Sequence, residues 1–240
     1  MTILVVGASG ATGRLLVSQL LERGHCVTAV VRAQSRVLEP LADNEKLSLV
    51  RATVLDLSED ELVQLVTGCS AIVSCLGHTL SFKGIYGKPR RLVTDTVHKL
   101  CQAAQTVNAT TAVKFVLMNT TGNSNRDIPE KISFGQSCVI WLLRLLLPPH
   151  ADNENAADYL RVEIGQNNAC IEWVVVRPDA LTDDEEVTEY ELQLSPTRSA
   201  IFDAGITSRI NVGNFMARLI TEPDTWRRWQ GKMPVIYNAG

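Results

Sequence analysis

The chain alternates between short runs dominated by β-branched and other apolar residues and longer stretches in which apolar residues recur every three to four positions. Six runs, at 3–6, 26–32, 47–54, 71–77, 114–120 and 171–178, have the length and composition of strands. After the first of them Leu15, Leu16, Gln19 and Leu20 keep helical spacing until Gly24 stops the pattern. Strands that are apolar on both faces and separated by helices predict a parallel sheet covered on both sides. The expected fold class is a doubly wound α/β domain.

Five of the six strands arrive by residue 120, and the remainder is less regular. An acidic segment, DALTDDEEVTEYELQ at 179–193, interrupts the pattern and predicts a solvated loop with a short edge strand. With no repeat or low-complexity linker, the chain reads as one domain over 1–240: a half of about 1–120 built from the regular strands, and an irregular C-terminal lobe over 121–240. The apolar stretch CVIWLLRLLLPP at 138–149 has Arg144 at its centre and falls short of the roughly 20 residues of a spanning helix. It predicts a buried helix, a dimer face or a pocket wall.

Composition narrows the classes of function. At 240 residues and 45% hydrophobic content the chain can build a substantial core. A net charge of −3 gives no basic field for nucleic acid or an anionic membrane. The six cysteines, Cys26, Cys69, Cys75, Cys101, Cys138 and Cys170, form no CxxC pair and no zinc spacing, so no metal is expected and reduced thiols fit a cytoplasmic protein. No export leader is expected, because the apolar run at 3–6 passes directly into glycines.

Those glycines carry the chemistry. The first strand, the turn GASGATG and the helix that follows form the arrangement in which main-chain amides and a helix N-terminus hold a diphosphate. Gly7 permits the tight turn, Gly10 leaves no Cβ against the phosphates, and Gly13 lets the helix pack on the strand; Ser9, Ala11 and Thr12 complete the turn, with the Ser9 hydroxyl able to reach phosphate. This makes the sheet a Rossmann-type one. The second strand then discriminates between dinucleotides. An NAD site ends that strand in Asp or Glu for the ribose hydroxyls, whereas this chain has Arg32, followed by Arg36. A guanidinium pairs with a 2′-phosphate that a carboxylate would repel. NADP(H) is expected over NAD(H).

With GxxGxxG, the VVR strand end, LGH after the fourth strand, MNTTG after the fifth, WVVVRPDAL at the sixth and TSRINVGNFMARLI at 207–220, the chain resembles the atypical short-chain dehydrogenase/reductases. Its likeness is closest to their NmrA-like, NAD(P)H-binding branch, which includes flavin and biliverdin reductases. The resemblance implies that Leu76 and Gly77 pass under the adenosine ribose or the nicotinamide half and that Asn119 and Thr120 lie near the nicotinamide ribose. It also implies that Pro178 turns the chain toward the carboxamide and that the segment after the sixth strand helps close the substrate pocket, making the C-terminal lobe a substrate lobe. Where the family often has an Asp near adenine this chain has Thr53, with Val54 left to flank the ring.

The family's proton donor is a Tyr with a Lys four residues on. The corresponding helix has Tyr159, and four residues on stands Glu163, a carboxylate that would raise the phenol's pKa. Other candidates are Thr120 or Thr121, where the family often has Ser, and His78 at a pocket mouth. The segment SFKGIYGKPRR at 81–91, with Lys83, Tyr86 and Lys88, reads as a surface loop able to fold over a cofactor. Two functions are expected to compete: an NADPH-dependent reductase of a small conjugated, flavin- or quinone-like acceptor, and a non-catalytic NADP(H) sensor acting through a protein partner. An epimerase or dehydratase of nucleotide sugars fits less well, since that chemistry relies on the Tyr-Lys pair. The chain is expected to be a monomer or homodimer.

Overall fold

The computed structural model describes residues 1–79, 81–107, 110–130 and 133–239, and leaves aside the side chains of residues 83 and 134. Strands β1 (Thr2–Val6), β2 (Cys26–Val31), β3 (Leu47–Arg51), β4 (Ala71–Ser74), β5 (Val113–Met118) and β6 (Ile171–Pro178) alternate with helices α1 (Ala11–Glu22), α2 (Glu59–Val66), α3 (Phe82–Tyr86), α4 (Leu92–Val107), α5 (Phe134–Leu146) and α6 (Pro148–Asp158). A π-helical turn, Tyr159–Ile164, continues α6. The C-terminal part adds β7 (Ala180–Thr182), β8 (Tyr190–Gln193), β9 (Ile206–Ser208), α7 (Arg209–Thr221), α8 (Pro223–Trp229) and β10 (Val235–Asn238).

The main sheet has eight strands in the order β3-β2-β1-β4-β5-β6-β10-β8, all parallel except β8 at the edge. Alternation along each strand divides the core between the two faces. Ile3, Val5, Val116 and Val174 point toward α1, α7 and α8, where Leu16, Leu20, Phe215 and Trp229 cover them. Leu4, Val6, Phe115, Leu117 and Trp173 point toward α2, α4 and α6, covered by Leu62, Leu100 and Leu160. The Rossmann-type doubly wound α/β fold is thus present as the apolar pattern indicates. Strand order reverses between β1 and β4, so a crevice opens at their C-terminal ends, the place where such sheets bind ligands.

The structure also departs from the sequence pattern. The third and fourth strands end at Arg51 and Ser74, short of residues 54 and 77, because Val54–Asp56 forms a 3-10 turn and the chain leaving β4 presses against Gly7. The acidic segment does hold a short edge strand, β8, paired antiparallel to β10. The 138–149 stretch is not one buried helix: Leu147, in extended conformation, separates α5 from α6, and α5 leaves Trp141, Leu142, Leu145 and Leu146 exposed. No helix among the described residues is long and apolar enough to cross a membrane.

Candidate functional site

At the crevice the glycine turn is shaped by close backbone approach. Gly7 has φ +73°, and a Cβ there would lie 2.6 Å from the Cys75 carbonyl carbon. The amide of Gly10 donates to the Gly7 carbonyl at 2.9 Å, and a Cβ on Gly13 would collide with that same carbonyl and with Ala8. Helix α1 starts with no side-chain cap and no acidic residue in its first turn. Its leading amides, at Ala11, Thr12 and Gly13, have no preceding turn to bond to and form a positive, uncapped end. Gly10 and Ala11 are exposed, Ser9 is half-buried, and Thr12 packs inside. The cradle fits a dinucleotide diphosphate, since the glycines at 7 and 13 let the turn close on its own backbone and on the end of β4, bringing the uncapped N-terminus of α1 to the crevice.

Arg32 is exposed directly after β2 and makes no ion pair among the described residues. Arg36 lies 3.8 Å from Glu39. A third cation, Arg51 at the end of β3, stands opposite Val31 in the sheet register, donates to the carbonyl of Ser35 at 2.8 Å and approaches Glu39 at 3.9 Å. Three guanidinium groups against one carboxylate leave the end of β2 suited to a phosphate monoester. Sequence reading missed Arg51, because only strand register brings it beside Arg32. Thr53 is exposed and Val54 buried at the same rim. Leu76 is half-buried, and Gly77 is exposed with open space where a Cβ would project.

At the end of β5 the buried Asn119 donates to the Asn153 carbonyl of α6 at 2.9 Å, while its own oxygen accepts from the Thr120 amide and from Asn123. Thr120 is half-buried, and its hydroxyl accepts from Gly122. The Thr121 hydroxyl donates to Asp179 at 3.0 Å and its amide to the Pro178 carbonyl at 3.0 Å. Thr121 and Pro178 therefore tie β5 to β6.

His78 stands elsewhere than the sequence pattern suggests. It is no open pocket mouth residue: its Nε2 lies 2.7 Å from the Asp152 carboxylate and its Nδ1 3.1 Å from the Gly84 carbonyl. Asp152 is itself buried and accepts from the Val93 and Thr94 amides at 2.8 and 2.9 Å, capping α4. The group joins the loop after β4 to α3, α4 and α6. Tyr159 packs on His98 of α4 with ring centroids 3.7 Å apart. Burial, with Cys101 and Glu163 adding to it, pushes its phenol up to about 12. Both side chains are engaged within the protein, His78 with Asp152 and Gly84 and Tyr159 with His98. The Tyr86 hydroxyl donates to the Leu146 carbonyl at 3.2 Å, so the 81–91 segment leans on α5.

A different polar group faces the end of β5. The Cε1 and Nδ1 atoms of His150, in the first turn of α6, lie 3.5 and 3.8 Å from the position of a Cβ on Gly122, and the Thr120 methyl lies 3.7 Å from that point. The Nε2 atom of His150 lies 3.6 Å from Glu154, which receives a bidentate pair from Arg144 at 2.6 and 2.8 Å. These residues are not among the sequence candidates Thr120, Thr121, His78 and Tyr159; the signal was a His and Glu four apart immediately after Pro148–Pro149.

A family model described as NAD(P)H-binding matches residues 7–223. An uncharacterized chloroplastic protein of Arabidopsis thaliana is 37% identical over 73 residues, which are 30% of this chain and 26% of that protein, so the match spans about a quarter of the relative's length. A short-chain dehydrogenase/reductase of Veillonella parvula, solved in complex with NADP, superposes with a TM-score of 0.70 at 18% identity, covering 100% of this chain and 95% of that one. An anaerobillin reductase from Escherichia coli O157:H7 superposes with a TM-score of 0.67 at 13% identity, covering 99% and 97%. With the glycine cradle, the reversal of strand order and a family match over nearly its whole length, the chain belongs to the NAD(P)H-binding family.

Proposed function

We propose that the protein is an NADPH-dependent reductase of a small conjugated, flavin- or quinone-like acceptor. The observation that carries this reading is the uncapped, glycine-lined N-terminus of α1 beside an Arg32 that no carboxylate among the described residues neutralises. Gly7, Ser9, Gly10, Ala11, Thr12 and Gly13 would hold the diphosphate; Arg32, with Arg36 and Arg51 near it, would hold the 2′-phosphate. Thr53 and Val54 would border adenine, and Leu76, Gly77, Asn119, Thr120 and Pro178 would line the path to the nicotinamide. When bound, a reduced nicotinamide supplies a hydride. The chain's own part is to position that ring and keep the acceptor against it. The six free thiols fit a reducing, cytoplasmic setting.

A second reading, a sensor that binds NADP(H) and signals to a partner protein, is favoured by one observation, the exposed apolar side of α5 at Trp141, Leu142, Leu145 and Leu146. The same side could equally serve a homodimer. Calorimetry with NADPH and NADH, followed by NADPH oxidation assays over a panel of quinones and flavins, separates the readings. Tight NADPH binding with turnover supports the reductase; tight binding without turnover supports the sensor; no binding of either dinucleotide defeats both.

A further inference from the structure

The side chains of His150 and Glu154 are buried, with 10% and 9% of their surface exposed. The Nε2 atom of His150 is enclosed and makes no hydrogen bond among the described residues. Glu154 is held on both oxygens by Arg144. A buried imidazole nitrogen without a partner is costly to keep. A residue of that kind beside a carboxylate calls for a role beyond packing.

The position is also held rigidly. Within the same turn of α6, Asp152 is bonded to His78 and to two amides of α4, and the Asn153 carbonyl accepts from Asn119 at the end of β5. The Nδ1–Cε1 edge of His150 is thereby set against Gly122 and Thr120. Gly122 has no side chain to fill the gap. Thr120 lies on the strand end that borders the nicotinamide half of the proposed cofactor site. The Nε2 edge points back to Glu154 and Arg144.

We infer that His150 is the proton donor to the acceptor, with Glu154, itself fixed by Arg144, as the residue that positions its ring. This rests on the reductase reading. In the step, a hydride leaves C4 of the dihydronicotinamide for the electrophilic atom of a conjugated C=O or C=N group. The π electron pair moves onto the heteroatom, and that atom takes the proton from Nδ1 of the ring, which first takes up a proton from solvent and, because burial lowers its pKa, is the stronger acid once charged. The acceptor gains two electrons and two hydrogens, the dinucleotide is left oxidised, and His150 regains its proton from solvent. Glu154 lies where it accepts from Nε2 once the ring is charged, which orients Nδ1 toward the acceptor. The substrate class is accordingly an acceptor with a hydrogen-bond-accepting oxygen or nitrogen conjugated to the reducible atom.

The test uses the full chain with NADPH and the acceptor from the quinone and flavin panel that wild type reduces fastest. His150→Asn and His150→Ala are expected to lower kcat at least a hundredfold while leaving the Kd for NADPH within twofold, and Glu154→Gln to lower kcat about tenfold. Thermal melts establish that each variant is folded, and the Asn variant serves where Ala is not. A second readout needs no cofactor: in protein labelled with 15N-histidine, Glu154→Gln is expected to change the tautomer and titration of His150. Turnover in wild type that both His150 variants retain within threefold overturns this inference and leaves the reductase reading standing. Absence of turnover in wild type overturns both. A His150 resonance that titrates as a free imidazole and ignores Glu154→Gln removes the positioning role.

Discussion

Gly7 and Cys75 are in such close backbone contact that a Cβ on the former would sit 2.6 Å from the carbonyl carbon of the latter. This contact ties the first glycine turn to the strand end on the other side of the crevice, and the positive φ of +73° at Gly7 adds strain for any other residue. Gly7→Ala is therefore expected to cost about 2–4 kcal/mol of stability, combining left-handed strain with displacement of the chain after β4. Urea unfolding measures it. NADPH affinity should fall as well, and a variant with unchanged unfolding midpoint and affinity would show that the turn relaxes freely.

Arg32 and Arg51 approach the same corner by different routes, one at the end of β2 and one across the register from Val31. A charge-assisted contact to phosphate contributes about 1.5–3 kcal/mol, so Arg32→Glu is expected to weaken NADPH at least tenfold and leave NADH within about twofold. Arg51→Met should weaken NADPH less, because part of its role is holding the Ser35 carbonyl. Both affinities are read by calorimetry at two salt concentrations. Equal loss for NADPH and NADH would place the 2′-phosphate elsewhere.

Six of the sheet's strands were legible because each is a short stretch rich in apolar residues set between helical patterns. The short strands β7, β9 and β10 were not, since three or four residues such as Val235–Asn238 give too little pattern to separate from a loop. The glycine turn was legible because it is local: strand, turn and helix are adjacent in the chain. Arg51 and His150 were not, because the first depends on register between strands and the second on how α6 lies across the end of β5. Tyr159 had the expected residue type but stacks on α4. Side-chain direction on a helix, not residue identity, decides which group faces the end of β5.

Burial lowers the pKa of His25, His98 and His150 below the ordinary 6.5, with the positive N-terminus adding to the effect at His25 and Arg91 at His98. An imidazole with a lower pKa folded than unfolded binds fewer protons in the native state, so stability is greatest above pH 6.5 and declines as pH falls through it. Urea unfolding at intervals from pH 8 to 5 is expected to show that decline, with His98→Asn making it shallower. The lowered carboxyls of Asp203 and Glu222 act in the same direction at lower pH, being lost as they protonate. Stability that rises from pH 7 to 5.5 would contradict the burial of these rings.

Arg177 is wholly buried, 2.7 Å from Glu130, and its other donors reach the carbonyls of Met233 and Asn123, each at 2.8 Å. It thus gathers the loop after β5 and the start of β10 onto β6, beneath the C-terminal lobe that borders the proposed acceptor site. Glu130 also accepts from the Asn125 amide at 3.0 Å, so Glu130→Gln removes the only negative charge paired with Arg177 among the described residues. An uncompensated buried guanidinium costs about 3–5 kcal/mol, equivalent to a fall in Tm of roughly 6–20 °C for a chain of this size. Replacing both partners, Arg177→Met with Glu130→Leu, is expected to recover part of that stability, because no charge is left buried. If the double variant is less stable than Glu130→Gln alone, the main contribution of Arg177 is its hydrogen bonds to the Met233 and Asn123 carbonyls and not its neutralised charge; the calorimetric Tm of the two variants decides between these.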